Sequence, residues 1–395
     1  MVTFARGFKA SGVACGLKKN GRKDLAVVIS DSPCVCAGVY TTNIVKGHSL
    51  QLTMERMETS PYVNAVVVNS GCANACVGQR GYDDAQLITE YLAQKLNVDK
   101  ETVLIGSTGV IGVPLNVELI RKGIDKAFDE LSYIGGHDAM EAIMTTDTVP
   151  KLYEKETVIG GKTVRIGGMA KGSGMIHPNM ATMISIITTD ANISKKMLDK
   201  ALSIVVNKTF NRVSVDGDTS VCDMCLVMAS QMAGNECIEE DGSEYILFEQ
   251  ALYEVCLNLA KAIAKDGEGA TKLVEIEVVN AKSKEDADLI TSAIAKSPLC
   301  KTAFFGEDAN WGRIITAAGY SKAYFEPNRI DIYIGGLAVC KNGVALEFDE
   351  DIAIGILKQD EFKILVDLNL GSEKSIMWTC DFSYDYVKIN GSYRS

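Results

Sequence analysis

The sequence predicts a layered α/β or α+β fold in which helices cover β-sheets. Apolar, β-branched runs bounded by polar residues or glycine indicate strands, and apolar residues recurring at the helical period indicate helices between them. The two kinds of segment mix without a strict strand–helix–strand alternation, so both classes stay open. With 47% hydrophobic and 23% charged residues, the composition is that of a globular protein and not of a disordered or fibrous one.

The first half of the chain begins with strands and continues with two amphipathic helices. Leu87, Ile88, Leu92 and Leu96 carry the helical spacing in the first of them. In chain order, the predicted elements are strands 25–30, 35–40, 65–69 and 103–105, helices 83–96 and 116–131, and a hairpin over 157–169 that turns at Gly160-Gly161.

The second half alternates longer helices with strands. The predicted elements are strands 183–189, 224–229, 273–279, 329–334 and 362–368, with helices 195–210, 247–265 and 284–295. A length of 395 residues suggests two or three domains, or one large domain with insertions. No low-complexity linker separates such domains, since the 35 glycines accompany only 7 prolines.

Charge and hydropathy exclude several classes of protein. The net charge is −11 and lysines and arginines form no block, which argues against a nucleic-acid surface. No stretch of ~18 apolar residues indicates a membrane span, and the first residues lack the apolar core of a signal peptide. Twelve cysteines are too sparse for a disulfide scaffold, so we expect free thiols in a cytoplasmic protein.

The spacing of the residues argues against a phosphate-binding loop and against a zinc site. Gly160-Gly161-Lys162-Thr163 resembles the end of a phosphate-binding loop, but Glu156 stands where that motif needs glycine, which favours a simple hairpin turn. A zinc site needs two paired sets of ligands, usually with histidine. The pairs available are Cys34/Cys36, Cys72/Cys76 and Cys222/Cys225, all in apolar contexts, so we expect no metal site.

The segment 171–183, KGSGMIHPNMATM, is the most unusual in the chain. It is rich in glycine and methionine and leads into the apolar run that begins at Met183. Thr182 at the start of a strand suits self-cleavage, in which its hydroxyl attacks the carbonyl of Ala181 and water then frees Thr182 as a new N-terminus. Its α-amine could then serve as the base for its own hydroxyl. The competing interpretation is an ordinary hairpin loop.

A second candidate site lies in GSTGVIG, residues 106–112. The Thr108 hydroxyl beside the Gly109 N–H could form an oxyanion hole, while a tight strand-to-helix turn explains the glycines equally well. Polar clusters that turns explain singly, but that together favour a polar site, are 145–148, 216–220, 266–269 and 306–313.

The motifs together resemble the ornithine acetyltransferase family, the bifunctional glutamate N-acetyltransferase and amino-acid acetyltransferase of arginine biosynthesis. The resemblance runs from end to end. It rests on GFKASGVACGLK, VNSGCANACVG, GSTGVIG, MTTDTVPK, KGSGMIHPNMATM, FNRVSVDGDTS, DGEGATK, GEDANWGRI and CDFSYDYVKINGSYRS.

The resemblance implies a fold of stacked αββα layers like that of the DmpA-like aminopeptidases, with the mechanism of an N-terminal-nucleophile enzyme. It implies cleavage between Ala181 and Thr182 into an α chain, 1–181, and a β chain, 182–395, which intertwine in one fold. Two of each would assemble as an α2β2 heterotetramer.

The implied reaction is ping-pong transfer of acetyl from N2-acetyl-L-ornithine to L-glutamate through acetyl-Thr182. Thr108 and Gly109 match the oxyanion pair, and no cofactor is implied. The positions that match the family's substrate contacts are Thr145, Lys171, Thr182, Glu268, Asn390 and Ser395. Whether acetyl-CoA also serves as a donor stays open, and a Thr-nucleophile amidohydrolase or aminopeptidase on the same scaffold is the alternative.

The chain departs from the family's pattern at several positions. Cys72 and Cys222 stand where asparagine is frequent, Ala309 replaces a common proline, and the final Ser395 replaces threonine. Ser395 keeps a hydroxyl, whereas the two cysteines alter the local polarity.

Overall fold

The computed structural model of the chain describes residues 1–177 and 183–392. They form two compact units. One comprises the described parts of 1–211 and 218–263, and the other comprises 212–217 and 264–392.

The strands, in chain order, are β1 (Phe8–Val13), β2 (Leu25–Tyr40), β3 (Val63–Cys72), β4 (Val103–Val110), β5 (Leu152–Ile159), β6 (Lys162–Lys171), β7 (Ile184–Thr189), β8 (Val213–Ser214), β9 (Met224–Ala229), β10 (Leu273–Ala281), β11 (Asp331–Ile334), β12 (Leu337–Lys341), β13 (Val344–Ala345), β14 (Glu361–Asp367) and β15 (Glu373–Cys380).

The helices are α1 (His48–Thr59), α2 (Gln79–Leu96), α3 (Val117–Asp129), α4 (Gly136–Ile143), α5 (Lys195–Lys208), α6 (Ser243–Lys265), α7 (Lys284–Lys296), α8 (Pro298–Phe305), α9 (Trp311–Gly319), α10 (Glu350–Leu357) and α11 (Tyr384–Ser392).

The first unit contains a mixed sheet in the order β4-β3-β2-β9-β7-β6-β5, with β1 paired to β2. The β3/β4 and β7/β9 pairs are parallel, and the other neighbours are antiparallel. Strand β7 follows the predicted cleavage point and pairs with β6, which precedes it. The sheet therefore contains strands from both sides of residue 181.

Strand β2 joins two segments that the sequence predicts as separate strands. Its first part pairs with β3, its second part pairs with β9, and the register shifts between Ile29 and Cys34. Asp31, Ser32 and Pro33 are exposed at this irregularity. An irregularity of this kind lets one long strand change partners without a chain reversal.

Helices of the first unit bury one side against the sheet. Ile88 and Leu92 of α2 and Ile120 and Ile124 of α3 share a buried cluster with strand residues. Leu87 of α2, predicted with the apolar side, is 42% exposed because it lies at the border of that stripe.

The second unit contains a mixed sheet in the order β13-β12-β11-β14-β10-β15-β8. Ser283 caps helix α7 by accepting a hydrogen bond from the backbone N–H of Asp286, and the helix packs against β10 and β15. The buried core of this unit includes Val274, Ile276 and Ile290. Helices layered on a mixed sheet in each unit confirm the predicted fold class.

Several elements escape the sequence patterns. Residues 306–313, which read as a polar loop, include the start of α9, where Asn310 caps the helix by accepting from the Arg313 N–H. The other helices and strands without a prediction are β1, α1, α4, β8, α8, β12, β13, α10, β15 and α11. Over the described residues, none of the helices has the length and apolar character needed to cross a membrane.

Candidate active site

Thr108 and Gly109 lie near the end of β4, where Ser70 and Gly71 of β3 stand beside them. Gly109 has φ = +130°, and a Cβ on it would lie 2.4 Å from the Gly71 carbonyl carbon. Only glycine fits this close approach of two backbones. The strand-to-helix turn considered from the sequence is therefore wrong at these two positions, since the strand continues to Val110.

Lys171 is the last residue of β6 and is 2% exposed. Its Nζ donates to Thr108 Oγ1 over 3.4 Å. Strands β4 and β6 are not neighbours in the strand order, yet the fold brings these two predicted site residues into contact. An ammonium group with little access to water binds a carboxylate more strongly than an exposed one does.

The Asp147 carboxylate accepts hydrogen bonds from one side-chain ammonium group and two backbone N–H groups. Its Oδ1 accepts from Lys151 Nζ over 2.7 Å and from the Gly172 N–H over 2.7 Å. Its Oδ2 accepts from the Thr145 N–H over 2.9 Å. The carboxylate therefore links the backbone at Thr145 to the end of β6, next to Lys171.

Burial and charge act in opposite directions on this cluster. Burial raises the pKa of Asp147, but Lys171, Lys151 and the bound N–H groups outweigh it and hold the pKa below its ordinary value. Burial lowers the pKa of Lys171, and the negative charge of Asp147 opposes that effect. Each group thus favours the charged form of the other.

Lys18 forms part of the surroundings of Thr145. Its Nζ donates to the carbonyl oxygens of Met144 and Lys23, over 2.7 and 2.8 Å. Burial, followed by repulsion from Arg22, lowers its pKa to about 8. The sequence offered no signal for this lysine beyond its place in the motif near the N-terminus.

Asp223 binds the chain just after the predicted nucleophile. Its Oδ1 accepts from the backbone N–H of Met183 over 3.0 Å, and the Met183 carbonyl accepts from the Met224 N–H over 3.1 Å. Burial raises the pKa of Asp223 well above its ordinary value. Both Asp223 and the Asp147–Lys151 pair were missed as individual site residues, although Asp147 belongs to one of the polar clusters noted in the sequence.

Glu268 and Asn390 lie together in the second unit. Asn390 Nδ2 donates to Glu268 Oε2 over 2.8 Å, and Glu268 is 7% exposed. The adjacent Gly269 has φ = +71°, and a Cβ there would lie 2.4 Å from the Tyr386 backbone nitrogen. The glycine lets the Glu268 turn lie directly against α11, which carries Asn390.

The remaining predicted residues lie outside the described ranges. Ala181 and Thr182, the predicted cleavage site and nucleophile, fall within 178–182, and Ser395 falls within 393–395. Their roles stay predictions.

Cys72, Cys222 and the glycines of the phosphate-loop-like segment take part in local structure. Gly160 and Gly161 form the β5–β6 turn with positive φ angles, as the hairpin interpretation predicts. Cys72 Sγ donates to the Val113 carbonyl, and Cys222 Sγ donates to the Ala73 carbonyl in a small apolar cluster. Both departures from the family pattern are therefore buried, weakly bonded thiols.

One surface group within residues 1–177 and 183–392 has the composition of a metal site. Ligand atoms of His137, Asp138 and Glu141 lie within 4.8 Å of one another. Lys23 Nζ already bonds the two carboxylates over 2.5 and 2.7 Å, so a cation would have to displace a lysine there.

The comparisons with known proteins identify the family of the chain. The ArgJ family model matches residues 9–395. The chain is 50% identical over 398 residues to the arginine biosynthesis bifunctional protein ArgJ of Caldanaerobacter subterraneus subsp. tengcongensis, covering 100% of this chain and 98% of the relative. The protein of that name from Bacillus subtilis is 47% identical over 394 residues, covering 100% of this chain and 96% of the relative.

A solved structure supports the same relationship. The chain of ArgJ from Bacillus halodurans is 46% identical, with a TM-score of 0.51 over 53% of this chain and 98% of its own length. The resemblance found from the motifs is therefore confirmed: the chain belongs to the ArgJ family.

Proposed function

We propose that this chain transfers the acetyl group of N2-acetyl-L-ornithine to L-glutamate, giving L-ornithine and N-acetyl-L-glutamate. Membership of the ArgJ family makes it an enzyme of arginine biosynthesis. The observation that carries the proposal is the contact of Lys171 Nζ with Thr108 Oγ1 at the end of β4. This contact puts a cation suited to a substrate carboxylate next to a hydroxyl–glycine pair suited to an oxyanion.

The nucleophile in this proposal is Thr182. Its Oγ attacks the acetyl carbonyl carbon, while its α-amine, with an ordinary pKa of about 8, accepts the hydroxyl proton. Thr108 and Gly109 donate to the oxyanion that forms. The bond from carbon to the ornithine nitrogen breaks, that nitrogen takes up the proton, and the acetyl group stays as an ester on Thr182. The α-amine of glutamate then attacks the ester and regenerates the Thr182 hydroxyl.

Charge complementarity assigns the substrate contacts. Lys171 binds the α-carboxylate that donor and acceptor share. Glu268, oriented by Asn390, binds the side-chain ammonium of ornithine. Thr145 and Ser395 complete the contacts by hydrogen bonding. No cofactor enters the scheme, because Thr182 supplies both nucleophile and base. Acetyl-CoA is the candidate for a second acetyl donor.

We further propose that the enzyme matures by cleaving its own chain between Ala181 and Thr182 and assembles as an α2β2 heterotetramer. The coverage of the Bacillus halodurans structure supports the cleavage, since that chain is matched over 98% of its length yet covers only 53% of this one. Residues 182–395 likewise make up a little over half of the sequence. The free form of all twelve cysteines fits a reducing cytoplasm.

The test incubates purified protein with N2-acetyl-L-ornithine and L-glutamate and follows the products by mass spectrometry. We expect ornithine and N-acetylglutamate in equal amounts, from a protein whose intact mass shows two fragments, the second beginning at Thr182. Thr182→Ala should stay uncut and inactive, while Thr182→Ser keeps a hydroxyl and should retain part of both activities.

Two results would contradict the proposal. Free acetate formed at the rate expected for transfer, without N-acetylglutamate, would favour an amidohydrolase. A full-length, fully active chain would contradict self-cleavage. Turnover of glutamate with acetyl-CoA alone decides whether a second donor is used.

A further inference from the structure

We infer that Asp147 is a positioning residue for acetyl transfer, which holds Lys171 as a cation and fixes Thr145 and the end of β6 in one arrangement. This inference rests on the proposed role of Lys171 in binding the substrate carboxylate. Asp147 itself contacts protein groups, so it acts through its neighbours and not on the substrate.

The hydrogen bonds of Asp147 link the two segments that carry predicted substrate contacts. One carboxylate oxygen binds the Gly172 N–H, directly after Lys171, and the other binds the N–H of Thr145. A carboxylate can accept on both oxygens at once, whereas a carboxamide has a single acceptor oxygen. Replacing Asp147 with asparagine therefore breaks at least one of these links.

The charges of the cluster explain why a negative group is needed. Lys171 and Lys151 are both almost fully buried, and burial lowers the pKa of Lys171. Asp147, itself 3% exposed, contacts Lys151 directly over 2.7 Å and attracts Lys171. The charged and titratable groups that face Lys171 are Asp147, Lys151, Lys18, Asp223 and Cys222.

Burial keeps the thiol of Cys222 neutral by raising its pKa, and it likewise raises the pKa of Asp223 well above its ordinary value. Lys151 and Lys18 are positive and repel Lys171. Asp147 exerts the largest attraction on Lys171, and Asp223 adds a smaller one. Asp147 is therefore the main group that favours the protonated form of Lys171.

Substitutions of Asp147 and Lys151 should shift the pH profile of kcat/KM in opposite directions. In Asp147→Asn the attraction is lost, so Lys171 releases its proton at lower pH. The alkaline fall of kcat/KM for N2-acetyl-L-ornithine should then move down by about 1–3 pH units. In Lys151→Met a repulsion is lost, so the same fall should move to higher pH. Asp147→Glu keeps the charge and should stay near the wild-type profile.

Asp190→Asn is the matched control. Asp190 is also a buried aspartate that accepts from a β6 backbone N–H, that of Arg165 over 2.7 Å, but near the start of the strand. Its loss should lower the melting temperature and leave the pH profile in place. A purely structural role of Asp147 would give the same result, which is why the pH profile and not the activity alone is measured.

The outcomes distinguish a failure of the proposed acetyl transfer from a failure of the positioning role of Asp147. Wild-type protein without acetyl transfer would overturn the proposed function. Active wild type with an alkaline fall unmoved in Asp147→Asn, or moved downwards in Lys151→Met, would overturn the positioning role. If Asp147→Asn fails to fold or to cleave itself, Lys151→Met still decides by the sign of its shift. The positioning role would be established if the alkaline fall moves down in Asp147→Asn and up in Lys151→Met, while the Asp190→Asn profile stays unmoved.

Discussion

Met183 is fastened to Asp223 by a hydrogen bond of 3.0 Å from its backbone N–H to Oδ1. This bond fixes the residue that follows the predicted nucleophile, at the point where β7 and β9 begin side by side with Ile184 opposite Met224. The site thus depends on a buried carboxyl that no sequence pattern singled out.

Removing that acceptor should slow maturation. We expect Asp223→Ala to leave a larger share of uncut chain, because Met183 loses its partner and Thr182 its fixed neighbour. Asp223→Asn keeps an acceptor oxygen and should cleave more completely than the alanine variant. Intact mass spectrometry at fixed times after expression measures both, and equal cleavage in all three proteins would contradict the prediction.

Gly109 should tolerate no side chain. Gly109→Ala forces a Cβ to within 2.4 Å of Gly71 at φ = +130°, so we expect acetyl transfer to be lost and the melting temperature to fall. Gly112→Ala is the control, since φ is +80° but a Cβ there meets nothing within 4 Å. It should cost only the strain of a left-handed residue, about 1–2 kcal/mol. Equal effects in the two variants would show that the close approach to Gly71 does not matter.

Neutralising Glu268 should discriminate between the two substrates. Glu268→Gln removes the charge proposed to bind the ornithine ammonium, so KM for N2-acetyl-L-ornithine should rise. The loss of a charged hydrogen bond of about 1.5–3 kcal/mol corresponds to roughly 10- to 100-fold. KM for glutamate, which lacks that ammonium, should not rise. Asp385→Asn, at an exposed acid on α11, controls for net charge. A parallel rise for both substrates would contradict the assignment.

Lys18 should make stability depend on pH at alkaline values. Its pKa is lowered to about 8 in the folded protein, from 10.5. Between those values the unfolded chain binds more protons than the folded one, so stability rises with pH in this window. Lys18→Met should lose that increment, seen as a melting temperature that falls further behind wild type at pH 9.5 than at pH 7.5. The exposed Lys19→Met should show no such divergence.

The sequence predicted the layers of the fold well where the apolar pattern was strong. Strand β9 was predicted with its observed bounds, and α5 and α7 to within two residues at each end. Helix α1 was missed because Leu50, Leu52 and Met54 alternate as in a strand, while its buried side also contains Ser49, Thr53 and Arg56. Helix α9 was missed because GEDANWGR reads as a loop until Asn310 is recognised as a helix cap.

The site was predictable residue by residue only through the motifs. Spacing alone could not show that Lys171 reaches Thr108, because their strands are not neighbours in the sheet and the contact exists only in the folded unit. The sequence predicted Asp147 only as one member of a polar turn. No pattern indicated that its carboxylate would be buried between Lys171 and Lys151. Burial is a property of the folded chain, and it changes the pKa values of Asp147 and Lys171.

The pairing of β6 with β7 has a consequence for how the mature protein comes apart. A cut between residues 181 and 182 leaves these neighbouring strands on different polypeptides, joined by a ladder that runs from Ile166 opposite Thr189 to Lys171 opposite Ile184. Folding of the intact chain is unimolecular, but reassembly of the cut protein requires two molecules to meet. If the chain is cut as proposed, a reversible folding equilibrium becomes one that dilution opposes, and the lifetime of the protein then depends on how slowly the fragments separate.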